Sequence, residues 1–283
     1  MHQIHNEKLT ARINPIGAEL VSLWNQQQKR ELIWQGDPAI WAKHSPILFP
    51  VVGKVLGDQY RLGQAVHPMP KHGFASDSVF SLSQQAMDTI TLSLTSTSQT
   101  MEMYPFPFLL EVTFTLQGNT LKIIHTVHNP SVSQSLPFSI GAHPGFCCAI
   151  GDQLIFEKEE KPEACRLDGD FLLNPVPEPI AMDGTALEIT QELFVNDALI
   201  FPSLCSQSVI LRSKTLGDVL QVHWHDAPVL GVWAKPGAPY VCVEPWYGID
   251  DHADVSEQLT EKPRIILLPP GQSFAFPITI TVL

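Results

Sequence analysis

Leu109-Leu110-Glu111-Val112-Thr113-Phe114-Thr115-Leu116-Gln117-Gly118-Asn119-Thr120-Leu121-Lys122-Ile123-Ile124-His125-Thr126-Val127 carries the period that decides the fold. Leu110, Val112, Phe114 and Leu116 alternate with Glu111, Thr113 and Thr115. After the Gln117-Gly118-Asn119 turn, Leu121, Ile123, His125 and Val127 resume the pattern. Successive side chains of a strand point to opposite faces, so each run lays one face on a core and the other towards solvent or a second sheet.

Working outward, the same period recurs. Ile90, Leu92 and Leu94 alternate with Thr91, Ser93 and Thr95, and Phe274, Phe276, Ile278, Ile280 and Val282 alternate with Ala275, Thr279 and Thr281. Pro277 falls inside that last run, so its nitrogen is expected to face away from the ladder. Helical periodicity is confined to short stretches near Pro38 to His44 and Thr190 to Asn196. The 24 prolines and 17 glycines fit many short strands joined by turns. The charged, proline-rich stretch 157–184 reads as a long excursion or edge loop. The expectation is an all-β chain, a large antiparallel β-sandwich forming a single domain over residues 1–283.

Composition narrows the function. A chain of 283 residues with 44% hydrophobic content can bury a sizeable core. A net charge of −12 opposes a nucleic-acid role, which needs a basic face. Five cysteines without a regular framework read as reduced thiols, which points to a cytoplasmic protein. No apolar run approaches a membrane span, and Met1-His2-Gln3-Ile4-His5-Asn6-Glu7 has no signal-peptide character.

Two segments concentrate chemistry. Pro137-Phe138-Ser139-Ile140-Gly141-Ala142-His143-Pro144-Gly145-Phe146 and Val241-Cys242-Val243-Glu244-Pro245-Trp246-Tyr247-Gly248 each set one proton-transfer residue at the end of a β-type run. One His and one Glu so mounted suit an acid/base pair, and the aromatic neighbours suit stacking on a sugar ring. Read locally, Glu244 fits slightly better as a carboxylate paired with a lysine or with backbone N–H groups. His143 equally fits a hydrogen-bonded turn, His72 an ordinary loop and Asp197 a cap. Trp233 and Trp246 fit a core as well as a sugar platform.

The order of motifs resembles the galactose mutarotase (aldose 1-epimerase) superfamily, and within it the LacX branch. The likeness rests on Ile13-Asn14-Pro15-Ile16-Gly17-Ala18-Glu19-Leu20, Pro46-Ile47-Leu48-Phe49-Pro50-Val51-Val52-Gly53-Lys54 and Pro70-Lys71-His72-Gly73-Phe74-Ala75. It continues through Gly141-Ala142-His143-Pro144, Asn196-Asp197-Ala198-Leu199-Ile200-Phe201, Lys235-Pro236-Gly237-Ala238-Pro239-Tyr240 and Glu244-Pro245-Trp246-Tyr247-Gly248-Ile249. The resemblance implies a β-supersandwich with a sugar cleft and a cofactor-independent isomerase acting on a hexose, as monomer or homodimer. Glu244 is then the general base and His143 the general acid, with His72, Asp197 and Lys54 binding sugar. Ser76 stands where relatives commonly carry arginine, which weakens a hexose 6-phosphate reading unless Arg61 or Lys71 supplies the charge. A non-catalytic sugar-binding module is a further alternative.

Two metal-like features complete the reading. His223 and His225 share one side if both lie on a strand, yet lack a third ligand at matching spacing. Asp250, Asp251, His252 and Asp254 lack the pattern of a calcium loop and read as surface or loop groups. No required metal is expected.

Overall fold

The computed structural model describes residues 1–161 and 163–283. Leu109–Gln117 and Thr120–His128 pair as an antiparallel hairpin, with Leu110 opposite Val127 and Phe114 opposite Ile123. Leu110, Val112, Phe114 and Leu116 are buried, while the residues between them are half-buried. On that outer face Thr89 meets Thr115 and Thr91 meets Thr113, hydroxyl to hydroxyl at 2.9 Å, the cross-strand contacts that steady a sheet.

This hairpin belongs to a nine-stranded antiparallel sheet. Its order is Ala186–Glu188, Gln153–Phe156, Ser208–Ser213, Gly217–His223, Ser273–Val282, Thr120–His128, Leu109–Gln117, Thr89–Thr95 and Ser81–Gln85. The last of these is an edge strand exposed along its whole length. Pro277 sits opposite Ile124, beyond Thr279 where pairing with Gly217–His223 stops, so a missing N–H is tolerated there.

An eight-stranded antiparallel sheet faces it. Its path is Leu173–Pro179, Glu163–Leu167, Leu199–Phe201, Val229–Trp233, Tyr240–Tyr247, Ile140–Ala142 and Ile47–Leu48, and Gly145–Cys147 also pairs with Tyr240–Tyr247. Between the sheets Tyr247 packs edge-on against Phe274 and Phe276, at 5.0 and 5.3 Å, and Phe156 meets Phe201 at 5.8 Å. Residues from Ile4 to Val282 join one apolar core. The four-stranded sheet His2–His5, Leu9–Asn14, Glu19–Asn25 and Arg30–Glu31 adds Ile4, Leu9, Ala11 and Leu23 to it. The chain is an all-β antiparallel sandwich, 48% strand and 6% helix.

The structure corrects some local expectations. Within 157–184, Glu163–Leu167 and Leu173–Pro179 form a hairpin that extends the eight-stranded sheet, not a loop. Pro175, Pro177 and Pro179 alternate along the outermost strand, a placement that only an edge tolerates. Pro38 to His44 makes a single turn, with Ile40 and Trp41 donating to the Asp37 carbonyl. Thr190 to Asn196 supplies only the 3-10 turn Glu192–Phe194. A helix that periodicity does not announce spans Ser98–Met103, started by a reciprocal cap between Thr97 and Thr100.

Candidate active site

Tyr240–Tyr247 runs through the middle of the eight-stranded sheet, paired with Val229–Trp233 on one side and Ile140–Ala142 on the other. Tyr247 turns to the opposite sheet, while Glu244 and Trp246 face a cleft of about 960 Å³. Glycines on both neighbouring strands make room for the Trp246 indole. A Cβ on Gly141 would stand 2.6 Å from its Cδ1, and one on Gly231 2.6 Å from its Cζ2. The ring therefore lies across both strands as part of the cleft floor. Its buried Nε1 has no hydrogen-bond partner among the described residues.

His143 follows the strand Ile140–Ala142. Its backbone N–H donates to the Pro46 carbonyl at 3.1 Å, and the Pro144 carbonyl accepts from Val243 N–H at 3.2 Å. The second bond ties the His143 turn to the strand that carries Glu244, and the first ties it to the segment that leads into Ile47–Leu48. The His143 Nε2 lies 3.3 Å from Glu244 Oε2. Trp41 stacks on the imidazole at 5.1 Å, and Trp233 and His72 meet it edge-on at 5.6 and 5.9 Å. The ring has little freedom to turn.

Both members of the pair are buried, His143 at 8% and Glu244 at 2% exposure. Among the described residues no backbone N–H reaches the Glu244 carboxylate. Burial pushes that carboxyl well above the usual carboxylate range; the Lys71 ammonium opposes the rise, and Asp197 and Asp250 add to it. Burial also pushes His143 down to about 3, with Lys71 adding to the fall. Low dielectric disfavours each charged form. The pair therefore favours one shared proton and no net charge.

His72 lines the same cleft. Its Nδ1 accepts the Gly53 N–H at 3.0 Å, which leaves the neutral ring with Nε2–H as its donor. Burial first, then Lys71 and His143, hold it well below the ordinary histidine value. Asp197 also lines the cleft, at a left-handed φ of 62°. One oxygen accepts its own neighbour's N–H, from Ala198 at 2.7 Å.

Lys54 is not brought to this group. Its backbone N–H donates to Asp250 Oδ1 at 2.8 Å, but its ammonium turns away to Asp58 at 3.7 Å. Arg61 pairs with Glu257 at 2.6 Å and is likewise no part of the cleft lining. Lys71 does line it, with Nζ 4.7 Å from the Phe171 ring centre. Ser76 borders the cleft too, where its carbonyl accepts from Lys43.

Asp250 and Asp251 lie in a loop but not at the surface, for they are 1% and 3% exposed. Asp251 takes the Lys262 ammonium and the Leu56 N–H, and Asp250 reaches the cleft. His225 leaves the expected strand at a φ of 57°, and its ring lies 4.2 Å from that of His223. Trp41 and Arg166, also in the lining, had no distinguishing signal in sequence. Arg166 donates to the Leu193 and Asp197 carbonyls at 2.9 and 3.0 Å, bracing the turn that presents Asp197.

Comparison with known proteins agrees with this architecture. The chain is 28% identical over 296 residues to the plasmid-encoded protein LacX of Lactococcus lactis, covering 99% of each. A galactose mutarotase-like protein from Lactobacillus casei superposes with a TM-score of 0.93 at 30% identity, over the whole of both chains. A galactose mutarotase related enzyme from Lactobacillus acidophilus gives 0.91 at 28% identity, covering 100% of this chain and 97% of that one. The fold is accordingly the galactose mutarotase-like β-sandwich. The aldose 1-epimerase family model matches residues 1–281, and the chain belongs to that family.

Proposed function

We propose that the protein is an aldose 1-epimerase that interconverts the anomers of a free hexose such as galactose or glucose, with Glu244 as base and His143 as acid. The observation that carries this reading is the buried pair itself, 3.3 Å apart on the cleft floor. A pair holding one proton has two forms of equal total charge: neutral carboxyl with neutral imidazole, or carboxylate with imidazolium. In the second form Glu244 takes the proton of the C1 hydroxyl while His143 gives its proton to the ring oxygen. The C1–O5 bond breaks and the open aldehyde forms. The pair is now in the first form, still with one proton. Rotation about C1–C2 and reclosure return the proton from Glu244 to O1, and His143 recovers the one on O5. No cofactor enters the balance.

His72 Nε2–H and Asp197 are the proposed hydroxyl partners, and Trp246 offers both a ring face and an unpaired N–H. Lys54 binds no sugar in this scheme; its backbone N–H only holds Asp250. Among cleft-lining residues the cations Lys43, Lys71, Arg166 and Lys235 are outnumbered by the carboxylates Asp77, Asp168, Glu178, Asp197 and Asp250, with the Glu244–His143 pair adding no net charge. That balance, with Ser76 in place of an arginine, favours an uncharged sugar over a hexose 6-phosphate. The described cysteines are all unpaired, in keeping with work in a reducing, cytoplasmic setting as a monomer or homodimer.

Polarimetry on freshly dissolved α-D-galactose and α-D-glucose tests the proposal. The wild type accelerates mutarotation, and Glu244→Gln and His143→Ala each lose about 10²–10⁴ of the acceleration while sugar binding by calorimetry persists. Full activity in Glu244→Gln would remove that residue as base. Acceleration with glucose 6-phosphate alone would move the substrate to the phosphosugar, and binding without acceleration would leave a carbohydrate-binding module.

A further inference from the structure

Cys242 precedes Glu244 by two residues on Tyr240–Tyr247 and so shares its face of the strand. It takes no part in the proton transfers above. Its thiol sulfur, a His143 ring nitrogen and a Glu244 carboxylate oxygen all lie within 4.8 Å of one another. Cys242 is fully buried and His143 nearly so. A buried carboxylate whose near neighbours are an imidazole and a thiol, and which no backbone N–H satisfies, is prepared for a ligand.

Three donors of different hardness decide which ligand. Magnesium and calcium take six or more oxygens, whereas sulfur, nitrogen and oxygen together suit zinc. With Zn–N bonds of about 2.0–2.1 Å and Zn–S of about 2.3 Å, tetrahedral donors stand roughly 3.3–3.6 Å apart. His143 Nε2 and Glu244 Oε2 already have that spacing, at 3.3 Å. The thiol, within 4.8 Å of both, needs to close by at most roughly 1 Å.

We propose that His143, Cys242 and Glu244 form an inhibitory zinc site with its fourth position open to the cleft. The ion occupies both proton-transfer groups at once, so sugar turnover and zinc exclude each other. Binding releases the thiol proton and the proton shared by His143 and Glu244 to solvent, and no electron changes hands. Among the described residues the buried His143 Nδ1 has no hydrogen-bond partner, so the site lacks the anchor that strengthens zinc sites by about 10–100-fold. The site is therefore reversible and gives up its ion to a chelator. The inhibition rests on the epimerase reading, but the binding does not.

Cobalt(II), which reports thiolate ligation by a near-ultraviolet charge-transfer band, is titrated into the full chain carrying Cys205→Ser, since Cys205 is exposed. The expected result is one cobalt per chain with that band, displaced by zinc. In the polarimetric assay zinc removes the acceleration and a chelator restores it. Adding Cys242→Ser keeps the uninhibited rate, abolishes the band and raises half-inhibition by at least about 10-fold. Cobalt binding without the band, or equal zinc inhibition of the serine variant, overturns the site. A band without inhibition of an active enzyme overturns the inhibitory role. If Cys242→Ser does not fold, judged by near-ultraviolet circular dichroism, Cys242→Ala takes its place. In a chain inactive towards sugars the band and its loss still decide binding.

Discussion

Local pattern alone left Glu244 and His143 each equally a structural residue, and Glu244 lies inside the strand Tyr240–Tyr247, not at its end; the two could be named from sequence because the order of motifs resembles the mutarotase family. Their pairing could not, because the contact joins residues about a hundred positions apart. Asp250 shows the same limit from the other side. In sequence it stands in an acidic cluster that looks solvated, but its burial comes from the 53–56 loop, whose Lys54 N–H it accepts at a separation of 196 residues. Burial raises its carboxyl to about 6, while Lys71 and the backbone N–H groups of Lys54 and Asp250 act to lower it. The folded value lies above the unfolded one, so the folded chain holds a proton that the unfolded chain has released. Stability from this group is present at low pH and is lost as pH rises from about 4 to about 6, by about 3 kcal/mol at most. Asp250→Asn removes that slope. Urea denaturation at pH 4.5 and 7.5 is expected to show the variant gaining on wild type at the higher pH, whatever constant offset the amide introduces. A constant difference between the two pH values would show that Asp250 ionises freely.

Elements were legible in proportion to how local their signal is. The hairpin of Leu109–Gln117 and Thr120–His128 is written in alternation plus a Gly118 turn. The hairpin of Glu163–Leu167 and Leu173–Pro179 was hidden by Pro175, Pro177 and Pro179, residues that argue for a loop until the strand is known to be an edge. The strand that holds the site depends on two glycines whose role is invisible in sequence. Neither Gly141 nor Gly231 adopts a positive φ, so what matters is the space beneath the Trp246 indole. Gly231→Ala places a methyl within that ring's contact distance and must tilt it. We expect a loss of about 1–3 kcal/mol in urea unfolding, as overpacked sites show, together with a fall in mutarotation, because Glu244 is register-paired with Gly231. Wild-type stability and rate in that variant would mean that the indole is free to move.

For the molecule as a whole, the sandwich followed from composition and period two, while the packing of one sheet on the other did not. His125 illustrates how that packing sets a global property. Alternation assigned it to the core face, where it is 3% exposed and stacks on Phe276 at 5.2 Å. Burial pushes it down to about 4, and the Phe276 carbonyl offsets part of the shift. The unfolded chain binds a proton below about 6.5 that the folded chain refuses until about 4. Stability is therefore whole above that window and falls through it, by about 3 kcal/mol from this residue alone. His72 and His143, held down by the same burial, act in the same sense. His125→Gln is expected to flatten the decline between pH 6.5 and 4.5 in urea titrations relative to wild type. An unchanged slope would remove His125 from the account. The outer strands have a consequence for growth into larger assemblies. Leu173–Pro179 cannot accept a further strand where its prolines lack N–H groups, and Ile47–Leu48 and Ala186–Glu188 are too short to template one. Among the described edges of the two large sheets, Ser81–Gln85 is left as the long accessible border. A pair of molecules joined along it covers that border in both, so strand addition there terminates at the pair and a fibril gains no end from which to elongate.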